Sequence, residues 1–165
     1  MKIGFSYPKK FKIGAYLISW WINRPYSHCY ILIPIESVGI NTVYHAAHGS
    51  VHFREYDIKF KDENHIVYEY DIEVSKEQKK EVVKKCIELA GDDYGYKELP
   101  VIFASDLCHY LKLPVLQTKD MHGYICSELV GSILIDVLGY KTDIPKHLLK
   151  PDDIERMLLY GKDRP

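Results

Sequence analysis

The sequence predicts an α+β fold, an antiparallel sheet of about four or more strands packed against helices. Three observations predict it. Between Ser27 and Val74, short segments alternate apolar and polar residues and are separated by turn chemistry. From Ser75 onward the apolar spacing lengthens to that of helices. The length of 165 residues, with 47% hydrophobic and 27% charged, is the size and composition of one ordinary domain. A single domain over 1–165 is expected, without internal repeat, low-complexity tract or linker.

After a short first segment, Ile13 to Trp21 places Ile13, Leu17 and Trp20/Trp21 on one side at helical spacing, and Asn23-Arg24-Pro25 stops the run. This is expected to be an amphipathic helix docked through its tryptophans. Ser27 to Pro34 reads as a strand with His28, Tyr30 and Leu32 on one face and Cys29, Ile31 and Ile33 on the other, so His28 and Cys29 point apart. Gly39-Ile40-Asn41 supplies a turn, and Thr42 to Ala46, which carries His45, can return as the second arm of a hairpin. His48-Gly49-Ser50 is a further turn before Val51 to Tyr56, and His65 to Val74 alternates as a fourth strand, completing a meander.

Ser75-Lys76-Glu77-Gln78 matches a capping box, because the serine hydroxyl can accept from the third-residue N–H while Gln78 reaches back. The helix it opens should run from Lys76 to about Ala90 and end at Gly91, with Cys86 in its apolar stripe beside Val82, Val83 and Leu89. A turn at Asp92 to Tyr96 precedes a second helix near 98–112, with Pro100 in its first turn and Cys108 in its core face. A loop from Pro114 then leads to Gly123-Tyr124-Ile125-Cys126-Ser127-Glu128-Leu129-Val130, which opens an apolar-periodic run through Leu138. Glu128 in its first turn suits the helix dipole, and Pro151-Asp152-Asp153 starts a last short helix for the same reason.

Charge and composition narrow the function. The 22 basic residues are matched by 23 acidic ones, for a formal charge of −1, which argues against a nucleic-acid partner bound by phosphate neutralisation. No run of about 18 apolar residues occurs, and Met1 to Pro8 lacks the apolar core and cleavage site of a secretory signal. The four cysteines at 29, 86, 108 and 126 lack CxxC pairing and read as free thiols, so a cytoplasmic or phage-delivered protein is expected, with no cofactor and no metal. Oligomeric state is not legible. Fourteen tyrosines are many for this length, and Tyr26, Tyr94 and Tyr124 are as suited to lining a groove as to a core.

Cys126 stands where a helix begins. First-turn N–H groups have no intrahelical partners and the aligned peptide dipoles make that end electropositive, which biases a thiol toward thiolate. Taken together, Leu17 to His28 ending in Tyr26-Ser27-His28, Val43-Tyr44-His45-Ala46, and Tyr124 to Val130 resemble the circularly permuted branch of the NlpC-like papain-fold cysteine hydrolases, which includes relatives of lecithin retinol acyltransferase. The resemblance spans about Ile13 to Val137 and implies a permuted papain-like fold in which the histidine begins an early strand, a polar third residue follows on its neighbour, and the cysteine comes last. It implies His28, His45 and Cys126 as the catalytic residues. Many bacterial members carry Glu before the Ala at the third position; His45-Ala46 is closer to the acyltransferase-like pattern. A neutral imidazole nitrogen can still accept from His28. A strand slip of a residue or two would put His48 or His52 in that role.

Three function classes follow. The first is a cysteine peptidase or amidase acting on a peptide-like bond, bacterial cell-wall peptides being the substrate the resemblance implies. The second is a lipid or ester acyl hydrolase or acyltransferase using the same site, for which Ile13 to Ile22 is the candidate membrane-surface helix. The third is a metal-binding or structural module built on His28, Cys29, His45, His48 and Cys126, disfavoured because Cys29 turns away from His28 and no close ligand pair occurs.

Overall fold

The structure, a computed structural model, describes residues 1–47, 49–93, 95, 100, 102–104, 108, 111–112 and 123–161. The helix expected near 98–112 and the loop from Pro114 fall largely outside the described residues.

The architecture is α+β, with a five-stranded antiparallel sheet in the order β4-β3-β2-β1-β5. Its strands are β1 (Lys2–Pro8), β2 (His28–Ile35), β3 (Ile40–Ala47), β4 (Ser50–Glu55) and β5 (Asn64–Asp71). The expected hairpin is present as β2–β3, with Ile31 opposite Tyr44 and Ile35 opposite Ile40. The sheet is not a plain meander, however. β1, expected only as a short first segment, inserts between β2 and β5, pairing Phe5 with Cys29 on one side and Ile3 with Tyr70 on the other. Its Gly4 lies directly opposite Tyr30, whose ring occupies the space a Cβ would take.

Alternation divides the strand side chains between two cores. Ile3, Phe5, Cys29, Ile31, Ile33, Tyr44 and Ala46 face the helices and form the larger core with them. Tyr30, Leu32 and Val43 face the opposite way, under Tyr56 and Phe60. These two rings come from a π-helical turn at Tyr56–Phe60 that runs into α2 (Lys61–Glu63), so that Tyr56, expected as the last residue of the third strand, instead opens the turn. Glu55 starts the turn, its carboxylate accepting from the N–H groups of Asp57, Ile58 and Lys59 at 2.8, 2.6 and 3.0 Å.

On the other face, α3 (Lys76–Glu88) begins at the expected capping box, with Gln78 N–H donating to Ser75 Oγ at 3.1 Å and Ser75 N–H to Gln78 Oε1 at 2.9 Å. Val82 and Cys86 are its buried residues. α4 (Cys126–Ser132) continues through a π-helical segment at Ile133–Val137, and α5 (Pro151–Tyr160) follows with Pro151 in its first turn. α4 and α5 approach closely at Gly131, where a Cβ would run into the buried Leu149 side chain.

α1 (Ile13–Ile22) departs from expectation. Asn23, in the left-handed region at φ 51°, ends it as the sequence suggests, but none of its residues is buried. The stripe Ile13, Tyr16, Leu17 and Trp20 faces outward, while Ile18, Trp21 and Ile22 turn toward the protein, Trp21 edge-on to Phe103 at 5.3 Å. Among the described residues no helix is long and apolar enough to cross a membrane.

Candidate active site

Cys126 is the first residue of α4, and the chain enters it through Gly123 at φ 130°, a conformation that only glycine adopts readily. A Cβ at Gly123 would also lie 3.0 Å from Asp93 O and Gly95 N, which are backbone atoms. Tyr124 N–H donates to Asp93 O at 2.9 Å and Gly95 N–H to Tyr124 O at 3.1 Å, while Asp93 bridges to Ser50 of β4. On the far side, Ser127 Oγ donates to Leu149 O at 2.6 Å. The start of the helix is therefore held from both the sheet and the chain entering α5.

His28 opens β2 and His45 lies in β3. Continuing the register that pairs Ile31 with Tyr44 sets His45 opposite Tyr30, so His28 is its diagonal neighbour on the same face. His28 Nε2 and His45 Nδ1 are 3.0 Å apart, a hydrogen bond in which one imidazole donates and the other accepts. His45 is 3% exposed; Phe60 meets its ring edge-on at 5.3 Å, and its cross-strand partner His52 lies 4.7 Å away between ring centroids. His52 itself turns its Nδ1 to Ser50. With Nε2 of His28 engaged by His45, Nδ1 is the ring nitrogen left to face another group.

Cys126 is 5% exposed, and its thiol lies well below the usual range. The largest cause is a hydrogen bond from the Cys29 side chain; the charge of His28, a hydrogen bond from His28 and the Cys29 backbone N–H add to it, together outweighing burial. Cys29 moves the opposite way, pushed up by burial and by its contact with Cys126. The two adjacent buried thiols are thus pushed in opposite directions. Cys86, buried in the helix-side core, is pushed up to about 12 by burial. Cys108 is half-buried.

A hollow opens beside Cys126, walled by Ile18 and Trp21 of α1, by Ser27, Ile102 and Ile125, and by Leu149, Lys150 and Pro151. Lys150 Nζ sits 5.4 Å above the Trp21 ring. The enclosed volume is ≈ 20 Å³, room for about one water, so a larger ligand would lie across the open mouth.

The structure brings His28, His45 and Cys126 into one cluster. Tyr26 stands apart from the hollow, fully buried, with its hydroxyl donating to Glu155 Oε2 at 2.7 Å. Tyr124 is half-buried against the helix-side core. Tyr94 and His48 lie outside the described residues. Among the described residues, no group of three or more His, Cys, Asp or Glu side chains is placed to hold a metal ion.

Two participants escaped sequence reasoning. Alternation correctly turns Cys29 away from His28, and that same alternation points it into the face that receives the cysteine helix. Phe60, which walls His45, comes from a turn with no strand or helix periodicity to announce it. A scan against protein-family models finds no match to the chain. A search of curated proteins likewise finds none.

Proposed function

We propose that the chain is a cysteine hydrolase of the circularly permuted NlpC-like papain fold, cleaving an amide or peptide bond through a thioacyl-enzyme. The observation that carries this reading is Cys126 at the first position of α4 beside His28, whose Nε2 lies 3.0 Å from His45 Nδ1; the Cys126 thiol is pushed down there, in keeping with that placement. Cys126 Sγ, as thiolate, attacks the carbonyl carbon. The oxyanion forms near the Cys126 backbone N–H, a first-turn donor without an intrahelical partner. Protonated His28 delivers its proton to the leaving nitrogen as the C–N bond breaks, leaving a thioester on Cys126. His28, now neutral, takes a proton from water, whose oxygen attacks the thioester; the acid leaves and the thiolate returns. His45 fixes the tautomer and tilt of His28, the part a third residue plays in cysteine and serine triads. Cell-wall peptides are the substrate that the resemblance favours.

A second reading has its own support: ester or lipid acyl groups would undergo the same steps with an alkoxide leaving group. The apolar walls of the hollow and the outward stripe on α1 favour it. Both readings share one test. An acyl-type activity probe should leave its acyl group on Cys126, located by peptide mass spectrometry, and Cys126→Ser should take up none. Acylation elsewhere, or undiminished acylation of Cys126→Ser, contradicts both.

A further inference from the structure

We propose that α1 and its basic lead-in form an interfacial helix that seats the protein on an anionic lipid surface, with the Cys126 hollow at the edge of the seat. Phe11, Ile13, Tyr16, Leu17 and Trp20 are 76, 70, 52, 52 and 67% exposed. The last four recur at the i, i+3, i+4, i+7 spacing of a single helical face. A contiguous apolar stripe turned to solvent marks an interaction surface rather than a core.

The charges around it say what the stripe meets. Lys9, Lys10 and Lys12 are all exposed at the N-terminal end of α1, Arg24 follows its C-terminus, and no acidic residue occurs from Lys9 to Arg24. Cations at a helix N-terminus oppose the helix dipole, and α1 has neither a side-chain cap nor an acidic residue in its first turn to offset them. Local helix stability therefore does not account for these lysines. A cationic lead-in joined to a face of Trp, Tyr, Leu and Ile is the composition of helices that lie in the headgroup region of anionic bilayers.

Position links the surface to the site. The other side of α1 supplies Ile18 and Trp21 to the hollow at Cys126, whose enclosed part is too small for a substrate. A helix lying in the headgroup layer would bring the open mouth of that hollow against acyl material. Why such a surface borders Cys126 rests on the thioacyl reading; the binding itself does not.

The test uses the full chain with vesicles of phosphatidylcholine mixed with phosphatidylglycerol, and vesicles of phosphatidylcholine alone. The wild type and Cys126→Ser should co-sediment with the mixed vesicles, more weakly with the neutral ones, and progressively less as salt rises. Trp20 emission should shift to the blue on binding. The double variant Leu17→Ser/Trp20→Ser, at exposed positions outside the hollow, should bind at least about tenfold more weakly. Replacing Lys9, Lys10 and Lys12 by Gln should cost roughly fivefold per lysine on the mixed vesicles. Absence of binding overturns the proposal, as does binding that both variants retain. Self-association abolished by Leu17→Ser/Trp20→Ser, without vesicle binding, would assign the face to a second copy. Protection of Trp20 from acrylamide without vesicles would assign it to the chain's own residues; either result overturns the lipid surface. Vesicle binding without acylation of Cys126 would instead refute the thioacyl reading alone.

Discussion

At the scale of single residues, the site holds two adjacent buried thiols, Cys126 pushed down and Cys29 pushed up. The contact with the Cys29 side chain is the largest influence holding the Cys126 thiol down, and Cys29→Ala removes it. Its apparent pKa, read from the pH dependence of alkylation, should rise toward the ordinary value while His28 keeps it from reaching it. An unchanged titration in Cys29→Ala would mean that His28 and the helix start alone set the thiolate. In the proposed reaction His45 acts through His28, its Nδ1 lying 3.0 Å from His28 Nε2. His45→Ala should lower turnover by up to about 10⁴, the loss known for an orienting triad residue, and His45→Asn or Gln, which still offers a carbonyl oxygen, should recover part of it. A structural role alone would predict lost thermal stability without rescue. His52→Ala is the informative control, because His52 meets His45 edge-on yet bonds to Ser50. Its loss should leave turnover near the wild-type value.

At the scale of elements, the segment that delivers His28 to the site is pinned by a carboxylate at the opposite end of the chain. Glu155 of α5 accepts from Tyr26 at 2.7 Å and from Tyr70 of β5 at 2.7 Å, with Arg24 at 3.7 Å. Glu155→Ala would leave the buried Tyr26 hydroxyl without its acceptor, and denaturant titration should show a loss of about 1–3 kcal/mol. Glu155→Gln, which keeps one acceptor, should lose less. Much of this level was legible in the sequence. The β2–β3 hairpin, the Ser75 capping box and the helix starting at Cys126 all follow from local spacing and turn chemistry, and so did the His28–His45 diagonal. What was not legible depended on distant partners. Lys2–Pro8 becomes an interior strand only because β5, some sixty residues later, returns to pair with it. Periodicity identified a stripe on α1 but carries no information on whether that stripe meets a core or solvent, and here it meets solvent. Cys29 was placed on the correct face, but what packs against that face was not written in the strand.

At the scale of the whole molecule, the fold holds its titrating groups in opposing directions. Cys86, pushed up to about 12, and Cys29, also raised, stay neutral in the native state, while ordinary thiols of the unfolded chain ionise near 8.5. Above that pH the unfolded chain holds fewer protons than the native one. Stability from these groups is therefore full below about 8.5 and is lost as pH climbs toward 12. Cys126 works the other way: its depressed thiol contributes stability above the unfolded value, which is lost as pH falls through its lowered folded value. Thermal melts across alkaline pH should show the first effect in the wild type and a shallower fall in Cys86→Ala. A flat profile would mean that burial of these thiols does not hold them neutral.

In the proposed hydrolase, folding gathers His28, Cys29 and Cys126 into a site that makes one thiol a nucleophile. The most direct measurement of this is limited iodoacetamide labelling as a function of pH, mapped to each cysteine, for the native wild type, native His28→Ala and the denatured chain. In the native protein Cys126 should be modified first and should reach full reactivity at a pH below that of an ordinary thiol, near 8.5. His28→Ala should move that curve upward, and in denaturant Cys29, Cys86 and Cys126 should label alike. Preferential native labelling of Cys29, or a Cys126 that titrates as an ordinary thiol regardless of His28, would mean that the fold does not make Cys126 the nucleophile.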